Sequence, residues 1–181
     1  MLNELLLLAF QSLWFILPAY FANSSPVVFG GGTPIDFGKK MPDGEPIFGP
    51  GKTWCGAFTG IAAAILIAGI QDYAQNRFDL SNYGLISMSI QLGFLLGLGA
   101  IAGDAVKSFF KRRFKIKRGA EWPLLDQLDF IVGALLFAML SESASAYLNW
   151  KMVLFLLVFT PLTHRAANIF AFKTHLKNVP W

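Results

Sequence analysis

Between Gly103 and Phe130 the chain reads GDAVKSFFKRRFKIKRGAEWPLLDQLDF, a charged block set between long apolar runs. Seven cations (Lys107, Lys111, Arg112, Arg113, Lys115, Lys117, Arg118) share it with Asp104, Asp126 and Asp129. If the third apolar run continues as a helix through Lys117, then Asp104, Lys107, Ser108, Lys111 and Arg112 fall at i, i+3, i+4, i+7 and i+8, on one face. A row of carboxylate, ammonium, hydroxyl and guanidinium suits a polyphosphate: cations for phosphoryl oxygens, a carboxylate for magnesium. A basic amphipathic helix lying on anionic lipid would explain the lysines and arginines, but not Asp104 among them. Asp126 and Asp129, three apart, would share a face at the mouth of the next apolar run. Two carboxylates there repel one another unless a cation sits between them. Helix capping accounts for Asp126 and leaves Asp129, one turn in, without a role.

Two further segments carry polar chemistry. GPGKTWCG (Gly49–Gly56) is not a P-loop, because Pro46 stands where GxxxxGK[ST] needs glycine and the following helix is apolar. Its flexible backbone, Lys52 and Thr53 at a helix N-terminus still favour an anion. Thr163, His164, Arg165 and Asn168 form a polar patch in the last apolar run, where an arginine is rare without a partner.

The elements that must position these groups are membrane helices. Hydrophobic residues make up 55% of the 181, mean hydropathy is +0.52 and charged residues are 14%, against about 25% in soluble domains. Five apolar runs, at about 4–21, 54–70, 84–102, 128–148 and 152–170, are each long enough to cross roughly 30 Å of hydrocarbon. The expected fold is an all-α integral membrane protein of about five spans, one domain over 1–181, with loops at one end forming the site. The first run lacks the basic flank and small-residue cleavage site of a secretory signal. Of 15 basic residues only Arg77 and Lys151 fall on the side of the N-terminus, so positive-inside bias predicts N-terminus outside, with the C-terminus and motif loops cytoplasmic. The turn-rich loop 22–53 is expected to be functional, since long loops seldom serve as spacers. The lone Cys55 can form neither an internal disulfide nor a zinc cluster. No nucleic acid partner is expected.

These motifs resemble those of the archaeal CDP-archaeol synthases, similar in turn to the phosphatidate cytidylyltransferases. The resemblance runs through Asn23-Ser24-Ser25-Pro26, Pro34-Ile35-Asp36-Phe37-Gly38, Gly51-Lys52-Thr53-Trp54, the 103–130 block, Thr163-His164-Arg165 with Asn168, and Val179-Pro180-Trp181. With the wider group it is local: Ser108, Lys111-Arg112, Lys117 and the acidic pair. Arg118 stands where those enzymes carry Asp, Trp122-Pro123-Leu124 replaces their His-Gly-Gly, and Gln127 stands where they carry Arg.

The resemblance implies condensation of CTP with a lipid phosphate, 2,3-bis-O-geranylgeranylglycerol 1-phosphate, to a CDP-lipid and pyrophosphate, with Mg2+ as cofactor. The reading of the residues supplies a matching site: catalytic roles are expected for Asp104, Lys111, Asp126 and Asp129, metal binding by Asp126 and Asp129 helped by Asp104, and substrate contacts from Lys52, Thr53, Lys107, Ser108, Arg112, Lys117, Gln127 and Arg165. Two other readings use the same residues: an organic-phosphate transporter and a CTP-dependent polyprenol kinase. The transporter predicts polar groups along several spans near the midplane, whereas here they gather at one end.

Overall fold

The computed structural model describes residues 2–117 and 119–174, so Arg118 and Val179-Pro180-Trp181 lie outside the described residues, as does the Asn168 side chain. Six α-helices follow in order: α1 Leu2–Phe29, α2 Trp54–Phe78, α3 Ile90–Arg113, α4 Leu125–Ala138, the short α5 Glu142–Tyr147 and α6 Trp150–Lys173. Among the described residues there are no strands, only isolated bridges pairing Pro34 with Thr53 and Lys40 with Pro46. Helices α1, α2 and α3 are long and apolar enough to cross a membrane. Their outward residues include Leu6, Phe58, Leu66 and Ile90, each more than half exposed. That surface suits hydrocarbon, and every helix satisfies its own backbone.

The expected fourth span, 128–148, is not one helix. α4 ends at Ala138 and covers 14 residues, about 21 Å. The polar run Ser141-Glu142-Ser143 closes it. Leu140 and Ser141 turn back onto the carbonyls of Phe137 and Ala138, and α5 starts afresh. Apolar composition alone counted through that break.

The third span also differs from expectation at both ends. It begins at Ile90, with the Ser89 side chain accepting from Leu92 N–H, and it stops at Arg113 rather than Lys117. There Lys115 takes a left-handed conformation (φ 54°). Its N–H donates to Arg112 O, and Ile116 N–H donates to Lys111 O. This is the Schellman pattern of a helix end.

Small residues set how closely the helices approach. α3 meets α4 at Gly99, Gly103 and Gly133, where a Cβ would run into the opposing backbone; one on Gly103 would lie 2.9 Å from the Asp129 carbonyl carbon and 3.2 Å from Gly133 Cα. Such approach is how helices pack where lipid removes the hydrophobic drive. The core, with Phe15, Ile16, Leu92, Leu96, Phe130 and Leu156 fully or almost fully buried, lies among α1, α3, α4 and α6.

Candidate active site

The α3–α4 contact carries Asp104, Lys107 and Lys111 from one helix toward Asp126 and Asp129 from the other. Lys107 Nζ lies 2.6 Å from Asp129 Oδ2, 3.0 Å from Asp104 Oδ1 and 3.4 Å from Asp126 Oδ1. The 2.6 Å approach is an ion pair with the shielded Asp129 carboxylate. Asp104 pairs through its second oxygen with Lys52, brought in by the loop before α2. Lys111 Nζ donates to both oxygens of Asp126 at 2.9 Å and to Ala120 O at 2.7 Å. Three ammonium groups and three carboxylates thus form one network, running from Lys52 through Asp104, Lys107 and Asp126 to Lys111, with Asp129 branching from Lys107. All are largely shielded, with Asp129 only 4% exposed. Breaking a buried network by removing one member costs about 3–5 kcal/mol, because it strands the partner's charge.

Asp126 does more than cap. Its Oδ2 accepts Trp122 N–H at 2.7 Å, closing the turn that enters α4, while Leu124 just ahead of α4 has φ 64° and supplies no side-chain cap. Asp129 Oδ1 accepts Phe130 N–H at 2.7 Å, fixing that carboxylate against its own helix.

Two cavities meet at this network. One, about 190 Å³, is lined by Gly49, Pro50, Gly51 and Lys52 on one wall and by Lys107, Ser108, Lys111 and Arg112 of α3 on the other. Ser108 and Lys111 are buried, and the buried Arg112 Nε has no hydrogen-bond partner among the described residues. A small cationic cavity with an unspent guanidinium donor suits phosphoryl oxygens. The other, about 320 Å³, is an apolar groove between α3 and α4, lined by Val106, Phe110, Leu125, Val132 and Leu136 with Lys107 and Asp129 at its polar end. Among the described residues, Lys107 is the one common to both linings.

The remaining predicted residues are placed differently. Thr53 caps α2, its hydroxyl oxygen accepting from Gly56 N–H and Gly31 N–H, and it faces a smaller neighbouring cavity with Lys52 and Asp104. Lys117 is exposed in the loop after α3. Gln127 is buried in α4 and Arg165 exposed on α6, and neither lines the two cavities.

Sequence reasoning missed two residues that hold the loop wall. Asp36, 5% exposed, accepts the N–H groups of Gly38 at 3.0 Å, Phe48 at 2.9 Å and Gly49 at 2.8 Å. Burial works to raise its pKa, but these donors from Gly49, Phe48 and Gly38 outweigh it and hold the carboxyl below its ordinary range. Arg113 turns off the α3 face to the same loop. It donates to Pro46 O at 2.6 Å and Glu45 O at 3.3 Å, pairs with Asp43 at 3.2 Å and lies over the Phe109 ring. The signal for Asp36 was its turn, Pro34-Ile35-Asp36-Phe37-Gly38; Arg113 gave none, because its partners are backbone carbonyls far along the chain.

The hard oxygen donors of Asp104, Asp126 and Asp129 suit Mg2+, which takes one or two carboxylates plus phosphate oxygens and waters. Among the described residues, no three acidic, histidine or cysteine side chains close around a metal by themselves. Here an ammonium stands between the carboxylates. The set therefore fits a metal that displaces the ammonium and completes its shell with waters or phosphate oxygens, not a cage built by the protein alone.

The model of the CarS-like CDP-archaeol synthase family matches residues 3–181. The chain belongs to the CDP-archaeol synthase family. The CDP-archaeol synthase of Pyrococcus abyssi is 49% identical over 172 residues, 95% of this chain and 98% of that protein. That of Methanocaldococcus jannaschii is 44% identical over 178 residues, 96% and 98% of the two chains. A solved structure, described as giving structural insight into an intramembrane enzyme for archaeal membrane lipids biosynthesis, superposes with a TM-score of 0.73 at 37% identity, over 87% of this chain and 92% of that one. Family membership and an all-helical, membrane-embedded fold therefore agree with the expectations drawn from the motifs.

Proposed function

We propose that this family member transfers the cytidylyl group of CTP to an isoprenoid ether lipid phosphate, 2,3-bis-O-geranylgeranylglycerol 1-phosphate, forming a CDP-lipid and pyrophosphate. The observation that carries this reading is the junction of a cationic cavity and an apolar groove at Lys107. A triphosphate in the first and a prenyl-chain lipid in the second would bring their phosphates to one shared wall.

A lipid phosphate oxygen attacks the α-phosphorus of CTP, the bond from that phosphorus to the β-bridging oxygen breaks, and pyrophosphate leaves with the electron pair. The nucleophile is already anionic, so no protein base or covalent intermediate is needed. The chain's task is positioning and electrostatic stabilisation. Lys52, Lys111 and Arg112 hold the triphosphate and take up charge as it gathers on the leaving pyrophosphate. The Ser108 hydroxyl donates to a phosphoryl oxygen, and the groove admits the lipid from the leaflet. Asp126 and Asp129, helped by Asp104, would hold Mg2+, which neutralises triphosphate oxygens when bound. Thirteen of 15 basic residues lie on the motif side or in the last span toward it, supporting cytoplasmic loops and an N-terminus outside.

The test is purified protein with Mg2+ and CTP radiolabelled at the α- or γ-phosphorus, given either the lipid phosphate or a polyprenol. A CDP-lipid product is expected. A phosphorylated alcohol would mean a kinase, and no chemistry a transporter. Asp126→Asn leaves Lys111 without its carboxylate and should abolish Mg2+-dependent turnover; a near-normal rate in that variant would refute the metal assignment.

A further inference from the structure

Lys107 stands where a cation is wanted. Its Nζ is within 3.4 Å of oxygens from Asp104, Asp126 and Asp129, and its side chain is only 16% exposed. A single ammonium thus ion-pairs with all three carboxylates at once. The oxygen distances of 2.6, 3.0 and 3.4 Å match an ammonium's shell and exceed the roughly 2.0–2.1 Å that Mg2+ requires. A dication drawn to these oxygens would lie within about 3 Å of Nζ, where like charges in a shielded site repel strongly. Among the described residues Lys107 is also the one common to the linings of the cationic cavity and the apolar groove, so its side chain borders the space proposed for the phosphates.

We infer that Lys107 and a divalent cation compete for the same three carboxylates, so that loading the cation drives the Lys107 ammonium onto the phosphoryl oxygens where the two cavities meet. The inference rests on assigning Asp126 and Asp129 to the metal. It makes cation entry and substrate engagement one event: the carboxylates keep a counter-charge throughout, and the lysine reaches the reacting phosphates only after it is displaced. Lys52 and Lys111 lack this position, since each pairs with a single carboxylate group, Asp104 or Asp126.

The probe is Mn2+, titrated without nucleotide into the full chain in nanodiscs, with free Mn2+ read by electron paramagnetic resonance. Lys107→Met, which keeps the aliphatic stem, should bind Mn2+ at least about ten-fold more tightly than wild type while losing CDP-lipid formation. Lys52→Met removes the same charge from the edge of the network and should change Mn2+ affinity less than about three-fold. Unchanged affinity in Lys107→Met would overturn the competition. So would an equal gain in Lys52→Met, which would reduce the effect to net charge. Lys107→Gln provides the same comparison if the Met variant does not fold. Wild-type turnover that survives a chelator would instead overturn the metal reading itself, leaving a distinct signature.

Discussion

Gly103→Ala tests whether backbone contact between α3 and α4 sets the site. An added Cβ would sit 2.9 Å from the Asp129 carbonyl carbon, where ordinary contact begins near 3.4 Å. The helices must therefore part by about 0.5 Å for that carbon alone, and by more for the carbonyl oxygen. Because the obstacle is backbone, no side chain can swing aside. Overpacking of this kind costs about 1–3 kcal/mol. Lys107 is one turn beyond Gly103, and Asp129 is the residue pushed, so their 2.6 Å contact opens by a similar amount. Misplacement approaching 1 Å costs on the order of 10²-fold in rate. The expected outcome is a kcat/KM lower by about one to two orders of magnitude, with a lower thermal midpoint in detergent. Rates are taken per folded protein from CDP-lipid formation at saturating Mg2+. Gly69→Ala is the control, since nothing lies within 4 Å of its Cβ position, and helix propensity makes it neutral or stabilising by up to ~1 kcal/mol. Wild-type kcat/KM in Gly103→Ala would refute the argument that this approach positions the carboxylates.

Asp36→Asn presents an amide to the Phe48 and Gly49 N–H groups and loses charge-assisted bonds of the ~1.5–3 kcal/mol class; KM for CTP should rise about ten-fold or more with KM for the lipid little changed, measured by steady-state kinetics. The folded pKa of Asp36 lies below the ordinary 3.8, so its contribution to loop order is fully present above pH 3.8 and is lost as pH falls through the lower folded value. Amide-exchange protection at Phe48 and Gly49 should fall over that acid window and stay flat above it. Arg113→Met removes the tether to Asp43, Glu45 and Pro46 and should raise KM for CTP several-fold, with Arg113→Lys recovering only part because it lacks the guanidinium fork that takes Asp43 on one nitrogen and the two carbonyls on the other.

Local features were legible wherever the relevant interaction was short in sequence. The apolar runs announced helices, and α3 carries Asp104, Lys107, Ser108, Lys111 and Arg112 because four-residue spacing and helical pitch are properties of the chain itself. Helix ends were less legible. The α3 terminus depends on Lys115 adopting a left-handed turn that lysine does not advertise, and the α4 break depends on two serines and a glutamate that an apolar average absorbs. Asp36 and Arg113 were hidden for a related reason, since their partners are backbone groups, identical at every position in a sequence.

By itself the sequence determined the charge inventory, the membrane setting, and the identity of the lysines and aspartates that could meet a polyphosphate. Those follow from composition and periodicity, which act along the chain. Only the tertiary structure decided which charges touch. The glycines of α3 and α4 let two backbones come together, and that approach places one ammonium among three carboxylates drawn from two helices. It also places that ammonium on the wall shared by a polar cavity and an apolar groove. Coulomb forces fall off with distance, so the chemistry of this site is set by ångström separations between residues far apart in sequence, and those separations exist only once the helices pack.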